Sequence, residues 1–164
     1  MARRRTTAGT PALTALEAAA VPHTVRAYTH DERSDLPFGP EAAAALGVQP
    51  ARVLKTLLVQ LDGARLGVAV LPVDAMLDLK AAAAALGGKR AAMAEPAAAE
   101  RSSGYVVGGI SPLGQRTRLP TVVDAGALEH VTVLVSAGRR GLDVELAPAD
   151  LLALTGARTA PLTR

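Results

Sequence analysis

"VLKTLLVQLDGARLGVAVLP", residues 53–72, decides the fold. Two apolar runs flank Asp62-Gly63, and that dipeptide between apolar runs is the strongest short-range signal for a two-residue β-hairpin. Side chains alternate across a strand. Val53, Lys55, Leu57, Val59 and Leu61 therefore share one face, and Leu54, Thr56, Leu58 and Gln60 share the other. Lys55 falls on the more apolar face, where a charge is out of place.

Working outward, Thr10 followed by Pro11 opens a helix through about Ala19. Residues 23–30, HTVRAYTH, alternate as a strand. Glu41–Leu46 reads as a short helix stopped by Gly47. Asp78 caps a helix through Leu86, which ends at Gly87, and a short helix runs from Glu95 to Arg101 around Pro96. Strands are expected at Tyr105–Val107, Thr121–Val123, Val131–Ser136 and Leu142–Leu146, before a last helix, Pro148–Leu154, ended by Gly156. Helices interspersed with hairpin-linked strands imply one compact α/β domain with a mixed, mostly antiparallel sheet, not a doubly wound one. A chain of 164 residues fits one domain that buries about two-thirds of its unfolded surface. No repeat or linker divides it. Residues 1–9 read as a basic tail and 10–164 as the domain.

Composition narrows the functional classes. Apolar residues make up 49% and charged residues 20%, as in a soluble globular protein. No apolar run approaches the roughly 18 residues of a membrane span, and the basic start lacks the apolar stretch of a signal peptide. There is no cysteine. That excludes disulfides, thiolate metal sites and a cysteine nucleophile, and it fits a cytoplasmic protein. The net charge is only +3, but arginine is clustered at Arg3–Arg5, Arg116 and Arg118, and Arg139 and Arg140. Such clusters suit phosphate contacts as well as a solvated surface. HExxH, GxSxG, the P-loop and GxGxxG are all missing, and His23, His30 and His130 have no metal-ligand spacing. The expectation is chemistry without a metal or cofactor.

Four features remain. Lys55 either lays its stem on apolar surface with the ammonium in water, or presents that ammonium to a carbonyl oxygen or phosphate. The three aromatics, Tyr28, Phe38 and Tyr105, all adjoin loops. They serve either as core filler or as walls of a small pocket. Gly108, Gly109, Ile110, Ser111 and Pro112 form a G-x-x-x-P loop whose free N–H groups could make an oxyanion hole, or an ordinary surface turn. In the stretch around Asp143, Leu142, Val144 and Leu146 face inward, which turns Asp143 and Glu145 the other way, onto a solvated strand face or into a site.

Together with TPAL (10–13), YTHD (28–31), PFG (37–39), VLKTLLV (53–59), LDLK (77–80), RSSGYVVGGISPLGQRTRLPTVVD (101–124) and SAGRRGLDVEL (136–146), these features resemble the bacterial YbaK/EbsC family. These proteins are stand-alone relatives of the editing domain inserted in prolyl-tRNA synthetase. The resemblance runs from about Thr10 to Ala160 and is strongest to the branch that deacylates Cys-tRNA(Pro). It implies that family's fold, a barrel-like sheet with surrounding helices. It also implies hydrolysis of the ester joining a wrong amino acid to the acceptor end of tRNA(Pro), with prolyl-tRNA synthetase as a transient partner. The family's essential lysine falls on Lys55, its conserved acid on Asp143 and its GxxxP loop on Gly108–Pro112. Catalytic roles are thereby implied for Lys55, Gly108, Gly109, Ser111 and Asp143, and substrate contacts for Tyr28, Phe38, Thr56, Tyr105, Ile110 and Pro112. The resemblance also favours attack by the cysteine's own thiol, a lyase-type release, over attack by water. Ala-tRNA(Pro), a Ser- or Thr-charged tRNA, and a non-catalytic binding role are the alternatives at this stage.

Overall fold

The computed structural model describes residues 9–31, 33 and 36–164; the Arg3–Arg5 cluster lies outside them. The central hairpin forms as its sequence dictates. β2 (Leu54–Leu61) and β3 (Arg65–Pro72) pair antiparallel in register Leu54↔Pro72 through Leu61↔Arg65. Asp62 and Gly63 both take positive φ, +54° and +70°, the geometry of a type I′ turn.

Two sheets are built around this hairpin. The larger has the order β4-β2-β3-β5-β8, adding β4 (Ala91–Met93), β5 (Thr121–Asp124) and β8 (Arg158–Ala160). The smaller has the order β1-β7-β6, from β1 (Thr24–Ala27), β7 (Leu142–Leu146) and β6 (Val133–Arg139). Only β3–β5 and β5–β8 are parallel, so the expected mixed, mostly antiparallel sheet is present. The two sheets touch through a parallel bridge, Val53↔Leu134, and do not close, so "barrel-like" is a loose description.

The larger sheet is covered on both faces. Leu54, Leu58, Val68 and Val70 point into the main core with Val133, Val135, Val144 and α1 (Pro11–Ala18). Val59, Leu61, Ala69 and Val122 face α3 (Leu79–Ala85). Helix boundaries follow local chemistry. Thr10 Oγ1 accepts the Leu13 N–H at 3.2 Å, and Asp78 accepts the N–H groups of Lys80 and Ala81. Left-handed glycines end α2 (Phe38–Leu46), α4 (Pro96–Ser103) and α5 (Pro148–Thr155). Tyr105–Val107, expected as a strand, is irregular instead. Gly104 closes α4 in the left-handed conformation, and Tyr105 is pinned by its hydroxyl, which donates to the Leu113 carbonyl at 2.6 Å. Among the described residues, no helix is long and apolar enough to cross a membrane.

Candidate functional site

β2 is paired along its whole length with β3, but β4 covers its other edge only at Val59–Leu61. The Val73 N–H donates to the Val53 carbonyl, so odd-numbered residues of β2 bond toward β3. Even-numbered residues present their N–H and C=O to the opposite edge. There Leu58 accepts the Ala94 N–H at 3.0 Å, and the Val53↔Leu134 bridge closes the other end. Between these two points the edge around Thr56 is left open, and a cavity of about 460 Å³ lies along it. That volume is ordinary for a small-ligand site.

Six residues singled out from the sequence line this cavity: Phe38, Lys55, Thr56, Gly108, Ile110 and Asp143. Half-exposed Phe38, Met93 and Val107 are on its wall as well, so it opens to solvent. Lys55 Nζ donates to the Ala75 carbonyl at 2.6 Å. Burial pushes its pKa down, and nearby Asp74 pulls it back up. The Thr56 hydroxyl is buried and meets no partner among the described residues. An unpaired buried hydroxyl costs about 1–3 kcal/mol, and this one belongs to a residue of the cavity wall.

Asp143 is the most perturbed group here. It is only 6% exposed, and no hydrogen bond or ion pair to a described residue holds it. Burial pushes its carboxyl up to about 7. The strand reading of its orientation was right, since it faces away from the Leu142, Val144 and Leu146 side. That face meets the cavity, whose wall also includes Phe38, Gly39 and Ala42 of α2.

The glycine loop divides in two. Gly108 and Ile110 reach the cavity, and their N–H groups have no acceptor among the described residues. Gly108 needs to be glycine because its φ is +97°. Gly109 needs to be glycine for another reason: a Cβ would sit 2.6 Å from the Arg139 backbone. Its N–H is already spent on the Val106 carbonyl at 2.8 Å, so it is not free for an oxyanion.

Gly109, Ser111, Pro112, Tyr28 and Tyr105 do not line the cavity. Ser111 is fully buried, and its Oγ accepts the Leu113 N–H at 3.1 Å. Pro112 is buried beside it. Tyr105 is core: it is 4% exposed, and burial pushes its phenol up to about 12. Tyr28 stands behind the site. Its N–H donates to the Gly141 carbonyl, and burial, with Asp143 and Glu41 nearby, raises its pKa. Sequence reasoning missed Ser136, which also lines the cavity, as does Arg139 of the Arg139–Arg140 cluster. Ser136 is directly opposite Asp143 in the β6–β7 register, a cross-strand relation that no local pattern announces. Among the described residues, no cluster of His, Cys, Asp and Glu is arranged to hold a metal ion.

Residues 40–154 match the model of the aminoacyl-tRNA editing domain. The chain is 34% identical over 163 residues to EbsC of Enterococcus faecalis, a candidate Cys-tRNA(Pro)/Cys-tRNA(Cys) deacylase, covering 99% of this chain and 98% of that one. Among solved structures it superposes on a candidate trans-editing enzyme for prolyl-tRNA synthetase, with TM-score 0.82 and 27% identity over 94% of this chain and 95% of the other. The hypothetical protein APE2540 gives TM-score 0.79 at 28% identity, with 91% and 96% coverage.

Proposed function

The chain belongs to the aminoacyl-tRNA editing-domain family, and from that premise we propose that it deacylates mischarged tRNA, with Cys-tRNA(Pro) as its substrate. The observation that carries this reading is convergence. A lysine, a buried carboxyl, and a hydroxyl and two backbone N–H groups without a partner among the described residues come from distant parts of the chain to one cavity.

An aminoacyl ester is already activated, so cleavage needs charge stabilisation more than a strong nucleophile. The Gly108 and Ile110 N–H groups receive the oxyanion of the tetrahedral intermediate. Lys55 keeps one proton on the Ala75 carbonyl and turns its others to the ester carbonyl or the terminal phosphate. Asp143 takes the α-ammonium, which restores the charge that burial suppresses. Thr56 gives its hydroxyl to the aminoacyl group. Among the described residues the cavity wall holds neither histidine nor cysteine, so the attack is assigned to the substrate's own thiol or to water. In either case the 3′ oxygen of tRNA leaves and takes up a proton.

The net charge of +3 supports only weak, salt-dependent tRNA binding by the isolated protein. We therefore assign delivery of the substrate to prolyl-tRNA synthetase, in a transient complex in the cytoplasm. The test is a panel of tRNAs charged with Cys, Ala, Ser, Thr and Pro, assayed with and without that synthetase, using Lys55→Ala as the control. Expected are preferential release from Cys-tRNA(Pro) and loss of at least a hundredfold in rate in the variant. Comparable rates for Lys55→Ala and the parent would overturn the role of Lys55. No turnover of any member of the panel would overturn the deacylase reading.

A further inference from the structure

At one rim of the cavity, side chains from three separate parts of the chain join in a line that the proposed chemistry does not use. Glu41, on α2, is buried. It accepts the Asp31 N–H at 2.9 Å and lies 2.7 Å from Nδ1 of His30. His30 Nε2 lies 2.9 Å from a guanidinium nitrogen of Arg140, in the turn between β6 and β7. Arg140 lies over the Phe38 ring, 3.6 Å from its centroid. Phe38 is also on α2 and lines the cavity, and its edge abuts Gly108. A Cβ at Gly108 would sit 2.7 Å from that ring and 3.3 Å from Arg140.

The donor and acceptor roles are fixed by elimination. A guanidinium only donates, so His30 Nε2 must accept. Nδ1 then carries the proton and donates it to Glu41. Burial raises the Glu41 carboxyl, but the Asp31 N–H, the His30 hydrogen bond and the Arg140 charge outweigh it and hold that carboxyl below its usual pKa. The imidazole is thus a spacer between a buried carboxylate and an exposed arginine.

We infer that Glu41, His30 and Arg140 are positioning residues, a relay that presses Phe38 against the Gly108 turn and so sets the width of the cavity wall facing the substrate. None of the three lines the cavity itself. The relay acts through Phe38, and it acts on ground state and transition state alike, so its loss raises KM more than it lowers kcat. Lysine cannot replace Arg140, because only the planar fork can stack on the ring and hydrogen-bond sideways at once.

The KM part of this inference rests on the deacylase reading, and the structural part does not. Phe38 is the only phenylalanine in the chain. The full-length protein made with 4-fluorophenylalanine therefore gives a single fluorine resonance. Arg140→Ala and His30→Ala are expected to move that resonance in the same sense, since His30 is linked to the ring through Arg140, and the double variant to move it no further. His30→Gln, whose amide can donate one hydrogen bond and accept another, should return it part of the way. Arg158→Ala, on β8, should leave it unchanged. With Cys-tRNA(Pro), Arg140→Ala and His30→Ala should raise KM roughly tenfold with kcat within about twofold.

A resonance that moves for Arg140→Ala and not for His30→Ala would overturn the relay, as would an unchanged KM with only a lower melting temperature. If the parent protein turns over no charged tRNA, the fluorine signal still decides the relay by itself, and the deacylase reading fails separately.

Discussion

Replacing Asp143 with asparagine should stabilise the protein at neutral pH and leave it little changed in acid. Asp143 is 6% exposed, and burial raises its pKa from an ordinary 3.8 to about 7. The folded state therefore keeps a proton that the unfolded chain gives up, and stability falls as pH rises through that window. Each unit is worth about 1.4 kcal/mol, so about 4 kcal/mol is lost between pH 4 and pH 7, with no further loss above. Asparagine is nearly isosteric and never charges, so the variant escapes this loss. Every other titrating group is shared, and its contribution cancels in the difference between the two proteins. Urea unfolding followed by circular dichroism at pH 4, 5, 6, 7 and 8 measures that difference directly. With a slope of about 2 kcal/mol per molar urea, the gap between midpoints should widen by about 2 M from pH 4 to pH 8. A constant gap would refute the claim that burial holds the carboxyl in its neutral form. A gap that moved the opposite way would mean that an ion pair holds Asp143 in its charged form. The same substitution should abolish most of the deacylation, because the amide cannot receive the substrate's ammonium as a carboxylate does. Stability and activity moving in opposite directions is the signature of a site that stores an uncompensated group for its ligand.

Three further outcomes follow from the geometry. Thr56→Val keeps the shape and removes an unpaired buried hydroxyl; it should raise unfolding free energy by about 1 kcal/mol while lowering kcat/KM, as chemical denaturation and steady-state kinetics would show. Gly109→Ala drives a methyl to 2.6 Å from the Arg139 backbone, and about 1–3 kcal/mol should be lost in the same denaturation assay. Tyr105→Phe leaves the Leu113 carbonyl without its 2.6 Å donor; the melting temperature should fall by an amount equivalent to about 1–2 kcal/mol, with KM unchanged because the ring is core and not cavity wall.

Much of the fold is readable locally because its strongest signals are local. Asp62-Gly63 demands two positive φ values in succession, and few structures other than a hairpin supply them. Thr10-Pro11, Asp78 and Gly156 mark helix ends by the hydrogen bonds they can make. β4 and β8 have no such mark. Ala91–Met93 and Arg158–Ala160 are three residues each, are mostly exposed, and become strands only because an edge of the larger sheet is there to receive them. Tyr105–Val107 fails in the opposite sense: its residues favour a strand, but Gly104 has already turned the chain and Glu100 takes the Val107 N–H.

The site was legible in proportion to how poorly its residues suit any structural task. Lys55 on an apolar strand face, and a carboxyl buried between Leu142 and Val144, are costly as architecture, so their oddness points to a ligand. Glycine and tyrosine carry no such asymmetry. Gly108 and Gly109 look alike in a sequence, yet one opens the backbone to the cavity and the other lets Arg139 pass behind it. Tyr28, Phe38 and Tyr105 all flank loops, yet only Phe38 reaches the wall. The difference is made by Arg140, some hundred residues along the chain, which claims the face of the Phe38 ring while the hydroxyl of Tyr105 is claimed by Leu113. Which aromatic lines the cavity and which joins the core thus depends on partners that only the folded chain brings near.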